Sequence, residues 1–199
     1  EGWKAPFKTS WETHNTIKEF EYMNLNTSIL IGIEHGKKHR KNEYVPLDNG
    51  YHSYEADLYS NFIANKLKPY VDKNLRTKTG REHTSIMGSS LGGISALYTG
   101  YKHQDVFGKM GIFSPSLWAM PSIYGIIEKH RKHFDSKIYL SAGLDEGRYN
   151  QIHINRLYDT LLHVGYYPND IYKNFVPNGK HNEYLWQSEF RNCYRWLNT

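Results

Sequence analysis

The sequence contains one cysteine, Cys193, in 199 residues, so no disulfide can close within the chain and no pair of thiolates is present for a zinc centre. A lone cysteine leans slightly toward a reducing, cytoplasmic setting. No stretch approaches the roughly eighteen consecutive apolar residues of a membrane-spanning helix. Low-complexity tracts, internal repeats and linker-like segments are also missing, and the expectation is one domain over residues 1–199. The first residue is Glu1 rather than Met, which leaves a targeting signal unassessed.

Basic residues are scattered despite a net charge of +5 and a pI near 9.1. The densest groups, Lys37-Lys38-His39-Arg40-Lys41 and Lys129-His130-Arg131-Lys132, fall in a predicted loop and near a helix end. Solvated faces explain both, so no nucleic-acid partner is expected; the charge supports at most a mild preference for anionic substrates. His35, His39, His52 and His83 lie outside the predicted helices and form no helical pair of the zinc-ligand kind, and neither metal nor organic cofactor is expected.

Aromatic residues, at 15% with 17 Tyr and 5 Trp, are abundant, and apolar residues reach 39%, which excludes a disordered chain. Short apolar runs bounded by polar or turn residues predict strands over residues 27–33, 83–87, 108–113, 137–141 and 171–175. Between them, helical periodicity predicts helices over 55–75, 91–102, 121–133, 149–164 and 183–197, with a kink at Pro69 and a stop at Gly165. This alternation predicts an α/β fold with a mostly parallel central sheet and helices on both faces. Ligands in such sheets bind at the carboxyl ends of the strands.

One of those ends carries Ile86-Met87-Gly88-Ser89-Ser90-Leu91-Gly92-Gly93, a Gly-x-Ser-x-Gly frame between an apolar run and a helix. A nucleophile elbow needs that context, with small residues two before and two after the nucleophile. The frame selects Ser90 over Ser89, whose corresponding neighbours are Met87 and Leu91. A flexible or phosphate-binding turn is the plainer alternative. As a nucleophile Ser90 would need a histidine base, and the order serine, acid, histidine leaves His153, His163 and His181. His153 and His163 fall inside a predicted helix; His181 lies in a loop, either as base or as an ordinary loop histidine. Asp145 and Glu146 follow the strand before it, as acid candidates or as caps for the next helix.

The run from Met87 to Leu97, with Val106-Phe107-Gly108 and Phe113-Ser114-Pro115-Ser116-Leu117-Trp118, resembles the "Putative esterase" family of α/β-hydrolases. That family includes feruloyl and acetyl-xylan esterases, trilactone-siderophore hydrolases, S-formylglutathione hydrolase and mycolyltransferases. The resemblance covers about residues 29–197 and implies the α/β-hydrolase fold and carboxylic ester hydrolysis. It favours His181, in Gly-Lys-His-Asn, as the base. Counting three residues from Gly143 it favours Glu146 as the acid, with Asp145 as fallback. Leu91 N–H would serve the oxyanion. The second oxyanion donor in the family lies on an earlier loop, and the expectation is that an N-terminal segment of the full fold precedes Glu1.

The resemblance also implies substrate-binding roles for two residues. Arg40, before Glu43-Tyr44 and Pro46, could bind an anionic group or merely pair with Glu43. Trp118 could line an acyl or aromatic pocket or be a core tryptophan. The expected function is a serine esterase acting on a small-molecule or carbohydrate-linked ester, such as an acylated sugar, a feruloyl ester or a siderophore lactone. Acyl transfer by the same residues, or a non-catalytic binding protein on the same fold, are the alternatives.

Overall fold

The structure, a computed structural model, describes residues 10–25, 27–48, 51–52 and 54–198. The early part holds α1 (Thr13–Tyr22), α2 (Arg40–Tyr44) and a short antiparallel pair, β1 (Leu47–Asp48) with β2 (Tyr51–His52). A long helical stretch follows: α3 (Tyr54–Phe62), a π-helical segment at Ile63–Leu67, and α4 (Lys68–Asn74). The rest alternates as β3 (Ser85–Ser89), α5 (Leu91–Lys102), β4 (Lys109–Phe113), α6 (Ile123–His130), β5 (Lys137–Gly143), α7 (Arg148–His163), β6 (Ile171–Val176) and α8 (Glu183–Asn198).

Strands β3 to β6 form one parallel sheet in chain order. Alternate side chains serve two cores, as a pleated strand requires. Met110, Ile112, Ile138 and Leu140 pack with Ile94 and Leu97 of α5, Ile123 and Ile127 of α6, and Ile154, Leu157 and Leu161 of α7. Phe113 and Tyr139 meet Leu185, Trp186, Cys193 and Leu197 of α8. Helices thus cover both faces. Each fully buried aliphatic side chain contributes about 1.5–3 kcal/mol. Cys193 belongs to this second core, where burial pushes its thiol well above the ordinary value.

Helix α8 is also held by polar contacts. Its buried Glu189 accepts from Tyr139 Oη at 2.9 Å and from Asn174 Nδ2 at 3.2 Å. At its C-terminus, Lys137 Nζ donates to the carbonyl of Trp196 at 3.3 Å, where a cation complements the helix end.

Four of the five expected strands are present, with boundaries moved by one or two residues. The fifth, over residues 27–33, is not a strand. Its apolar run has no strand to pair with among the described residues, and Ile29, Leu30 and Ile31 remain 48%, 42% and 44% exposed. At the kink expected at Pro69 the structure has a π-helical segment, Ile63–Leu67, directly before α4, whose first turn holds Pro69. A wider turn accommodates the proline ring and its missing N–H. The helix expected over 121–133 is shortened to α6, where Arg131 adopts a positive φ of 52°. Helix α1 was not apparent in the sequence, because only Thr16 and Phe20 of its ten residues are buried.

Candidate active site

Ser90 stands between β3 and α5 with φ 57° and ψ −126°, a conformation that a non-glycine residue adopts only when its surroundings enforce it. The enforcement is visible in the backbone. Ser90 N–H donates to the Phe113 carbonyl at 3.0 Å, and the Ser90 carbonyl accepts from Gly93 and Ser116 N–H, both at 3.1 Å. A Cβ on Gly88 would lie 2.2 Å from the Gly92 carbonyl oxygen, so that position admits only glycine. Gly92 differs from the expectation. A Cβ there would meet nothing nearer than a Tyr44 ring carbon at 3.8 Å, whereas one on Gly93 would press on Phe113 O and Pro115 at 3.2 Å. The second tight glycine is therefore Gly93.

His181 arrives on the loop between β6 and α8, and its position is set by another close backbone approach. A Cβ on Gly143 would fall 2.0 Å from Gly179 O, and Asp145 N–H donates to that same oxygen at 3.0 Å. The end of β5 and the histidine loop are thereby locked together. His181 Nε2 lies 3.0 Å from Ser90 Oγ, and His181 Nδ1 lies 2.8 Å from Glu146 Oε2. The three side chains form one hydrogen-bonded line across the carboxyl ends of β3, β5 and β6.

The Glu146 carboxyl is almost fully buried, at 2% exposure, yet four donors reach it. Gly143 N–H at 2.7 Å and Ser114 Oγ at 2.6 Å serve Oε1; His181 and Asn150 Nδ2, the latter at 2.9 Å, serve Oε2. Burial alone would raise its pKa, but the bonds from His181, Ser114 and Gly143 outweigh it and hold the carboxyl below its ordinary value. It is ionised at neutral pH. Trp186 Nε1 donates to Ser114 Oγ at 2.9 Å, and its ring stands edge-on to His181 at 5.1 Å between centroids.

Of the two adjacent carboxylates, Glu146 is the one bonded to His181, while Asp145 is exposed. Leu91 opens α5, with its N–H in the first turn beside Ser90. Trp118 follows on a 3-10 turn and is 61% exposed, so it is not a core residue. The Arg40 guanidinium stacks over Tyr44 at 5.4 Å, and Glu43 instead accepts from Gly36 N–H at 2.7 Å; neither residue joins the hydrogen-bonded line. His153 is bound to Tyr124 Oη at 2.7 Å, and His163 is exposed on α7. Sequence reasoning missed Ser114, Ser116, Asn150 and Trp186 as contacts of the site. The available signal was position, since Ser114-Pro-Ser116 follows the strand that pairs with the elbow strand.

The family described as "Putative esterase" matches residues 6–197. The chain belongs to that family. The Putative esterase chain is 25% identical over 198 residues to the "Uncharacterized protein YbbA" of Bacillus subtilis (strain 168), covering 89% of this chain and 76% of the relative. Among solved structures it superposes on the enterobactin esterase FES from Shigella flexneri with a TM-score of 0.78 at 19% identity, over 95% of this chain and 49% of that one. It superposes on the siderophore hydrolase EstA from Aspergillus nidulans with a TM-score of 0.68 at 20% identity, over 93% and 77%. These likenesses establish the α/β-hydrolase fold. The chain spans about half the length of the FES structure.

Proposed function

We propose that this family member is a serine esterase that hydrolyses a carboxylic ester through an acyl-enzyme, with Ser90 as nucleophile, His181 as general base and Glu146 as the acid. The supporting observation is the continuous line from Ser90 Oγ through His181 to Glu146, at 3.0 and 2.8 Å. An ionised Glu146 only accepts, so His181 Nδ1 carries the proton and, in neutral imidazole, Nε2 is left as the acceptor for the Ser90 hydroxyl. As the Ser90 Oγ–carbon bond forms, the hydroxyl proton moves to Nε2. The oxyanion then faces the N-terminus of α5, where Leu91 N–H is the proposed donor and the helix dipole favours negative charge. His181 returns the proton to the leaving alkoxide as the ester C–O bond breaks. A water molecule, deprotonated by His181, then attacks the acyl carbon; the bond from that carbon to Ser90 Oγ breaks, the acid leaves, and His181 returns the proton to Ser90 Oγ.

An ester that carries an aromatic group is the proposed substrate class, as in a feruloyl ester or a catecholate siderophore lactone. The exposed ring of Trp118, two residues beyond Ser116 in the chain, offers a flat apolar face and is the proposed contact for an aromatic group. Two of the superposed structures carry siderophore-cleaving names, which agrees with that choice. Arg40, on α2 against α5, is the proposed contact for an anionic group on the substrate.

Hydrolysis of p-nitrophenyl acetate by the purified chain and its Ser90→Ala variant tests the assignment. The variant should fold with an unchanged circular dichroism spectrum and lose at least about 10⁴-fold in kcat. Turnover retained in that variant removes Ser90 from the mechanism.

A further inference from the structure

The turn after β4 presents a second hydroxyl to the nucleophile. Ser116 Oγ lies 3.2 Å from Ser90 Oγ, and Ser116 is only 5% exposed. Its aim is fixed by the backbone: Ser116 N–H donates to the Ser90 carbonyl at 3.1 Å, and the Ser116 carbonyl accepts from Ala119 N–H at 2.8 Å. Pro115 packs close to Gly93, where an added Cβ would come within 3.2 Å of it.

The direction of the Ser116–Ser90 bond follows from the rest of the line. Ionised Glu146 can only accept, which places a proton on His181 Nδ1 and a lone pair on Nε2. The Ser90 hydroxyl spends its one hydrogen on Nε2. The contact with Ser116 is then a bond in which Ser116 donates and Ser90 Oγ accepts. Among the described contacts, Ser90 Oγ is the only partner of the Ser116 hydroxyl.

We propose that Ser116 is a further catalytic residue of this site, whose hydroxyl donates to Ser90 Oγ, orients its remaining lone pairs and stabilises the negative charge that develops there as the proton leaves for His181. The inference rests on Ser90 being the nucleophile. A donor aimed at an oxygen that becomes anionic favours the charged form, and a buried site strengthens the effect. No proton is transferred by Ser116, so the balance of the reaction is unchanged.

The variants Ser116→Ala and Ser116→Thr, assayed with p-nitrophenyl acetate and with a fluorophosphonate probe, separate this role from simple packing. Ser116→Ala should lower both kcat and the second-order labelling rate by about 10–100-fold, the loss of one hydrogen bond to a charged group. KM should change by less than about twofold, since the bond gains strength only as charge develops. Ser116→Thr, which keeps the hydroxyl, should recover most of the loss, and all variants should melt together with the parent. Wild-type rates in Ser116→Ala overturn the inference alone, because the parent's labelling still identifies an activated serine. Equal losses in the Ala and Thr variants also overturn it, since the hydroxyl is then not the cause. A parent chain that neither labels nor turns over overturns the Ser90 assignment and this inference with it.

Discussion

Two apolar runs of the chain meet opposite fates. In β4, Met110, Ile112 and Phe113 are completely buried between β3 and β5; in residues 27–33, Ile29 to Ile31 stay nearly half exposed with no strand beside them among the described residues. The contrast extends to the regions around them. At the carboxyl ends of the sheet, pairs of backbone segments touch so closely that Gly88 and Gly143 tolerate no side chain. The flank formed by residues 27–33 and α3 carries Leu58 and Phe62 on its surface, 51% and 47% exposed. Apolar content makes a strand possible, but neighbours on both sides decide whether it forms. The site is built where two such close backbone approaches, at Gly88 and Gly143, fix the elbow and the histidine loop.

Substitutions sharpen that contrast in a definite order. Gly143→Ala forces a Cβ against the Gly179 carbonyl and should destabilise the chain by more than about 4 kcal/mol, or prevent folding, in urea unfolding. Gly92→Ala, although part of the same glycine-rich turn, has open space and should be neutral or stabilise α5 by up to about 1 kcal/mol. Equal effects of the two would contradict the backbone-contact account of the site. Ile112→Ala in the buried strand should cost about 2–5 kcal/mol.

Ser114→Ala removes a donor to the ionised Glu146 and should cost about 1.5–3 kcal/mol at neutral pH. It also carries a pH signature. Glu146 is held below its ordinary value of 4.5 in the folded chain, so its stabilisation is present above that value and is lost as pH falls through the folded pKa. Without Ser114 the folded pKa rises and the midpoint of acid unfolding moves to higher pH, as fluorescence titration would show. Leu30→Ser, on the exposed flank, should change stability by less than about 0.5 kcal/mol. A loss comparable to that of Ile112→Ala would mean that the flank is packed after all.

Much of the sheet was legible because parallel strands covered on both faces appear as unbroken apolar runs, as in Ile138–Leu140 and Ile112–Phe113. The same signal misled at residues 27–33, since an apolar run does not carry the identity of its partner. Helix α1 escaped notice because its buried face amounts to Thr16 and Phe20, with Ile17 partly covered. At the site, the glycine frame singled out Ser90 as a candidate, and the loop left His181 open until the family resemblance favoured it; the structure brings the two side chains to 3.0 Å. The requirement at Gly93 rather than Gly92 was not legible, since it comes from the turn after β4 crossing beneath α5. The choice between Asp145 and Glu146 depends on one residue of register; the resemblance favoured Glu146, and the structure places that carboxylate, not Asp145, against His181. In the sequence Ser114 and Ser116 carry only a family likeness; two common residues gain significance only when the strand pairing brings them to opposite ends of the same hydrogen-bonded line.

The most direct test is to incubate the chain with a fluorophosphonate and map the adduct by mass spectrometry after proteolysis. A serine made nucleophilic by His181 predicts a single stoichiometric adduct on Ser90, slowed at least about 10³-fold in His181→Ala. An adduct on another residue, or labelling of Ser90 that is indifferent to His181, would contradict it.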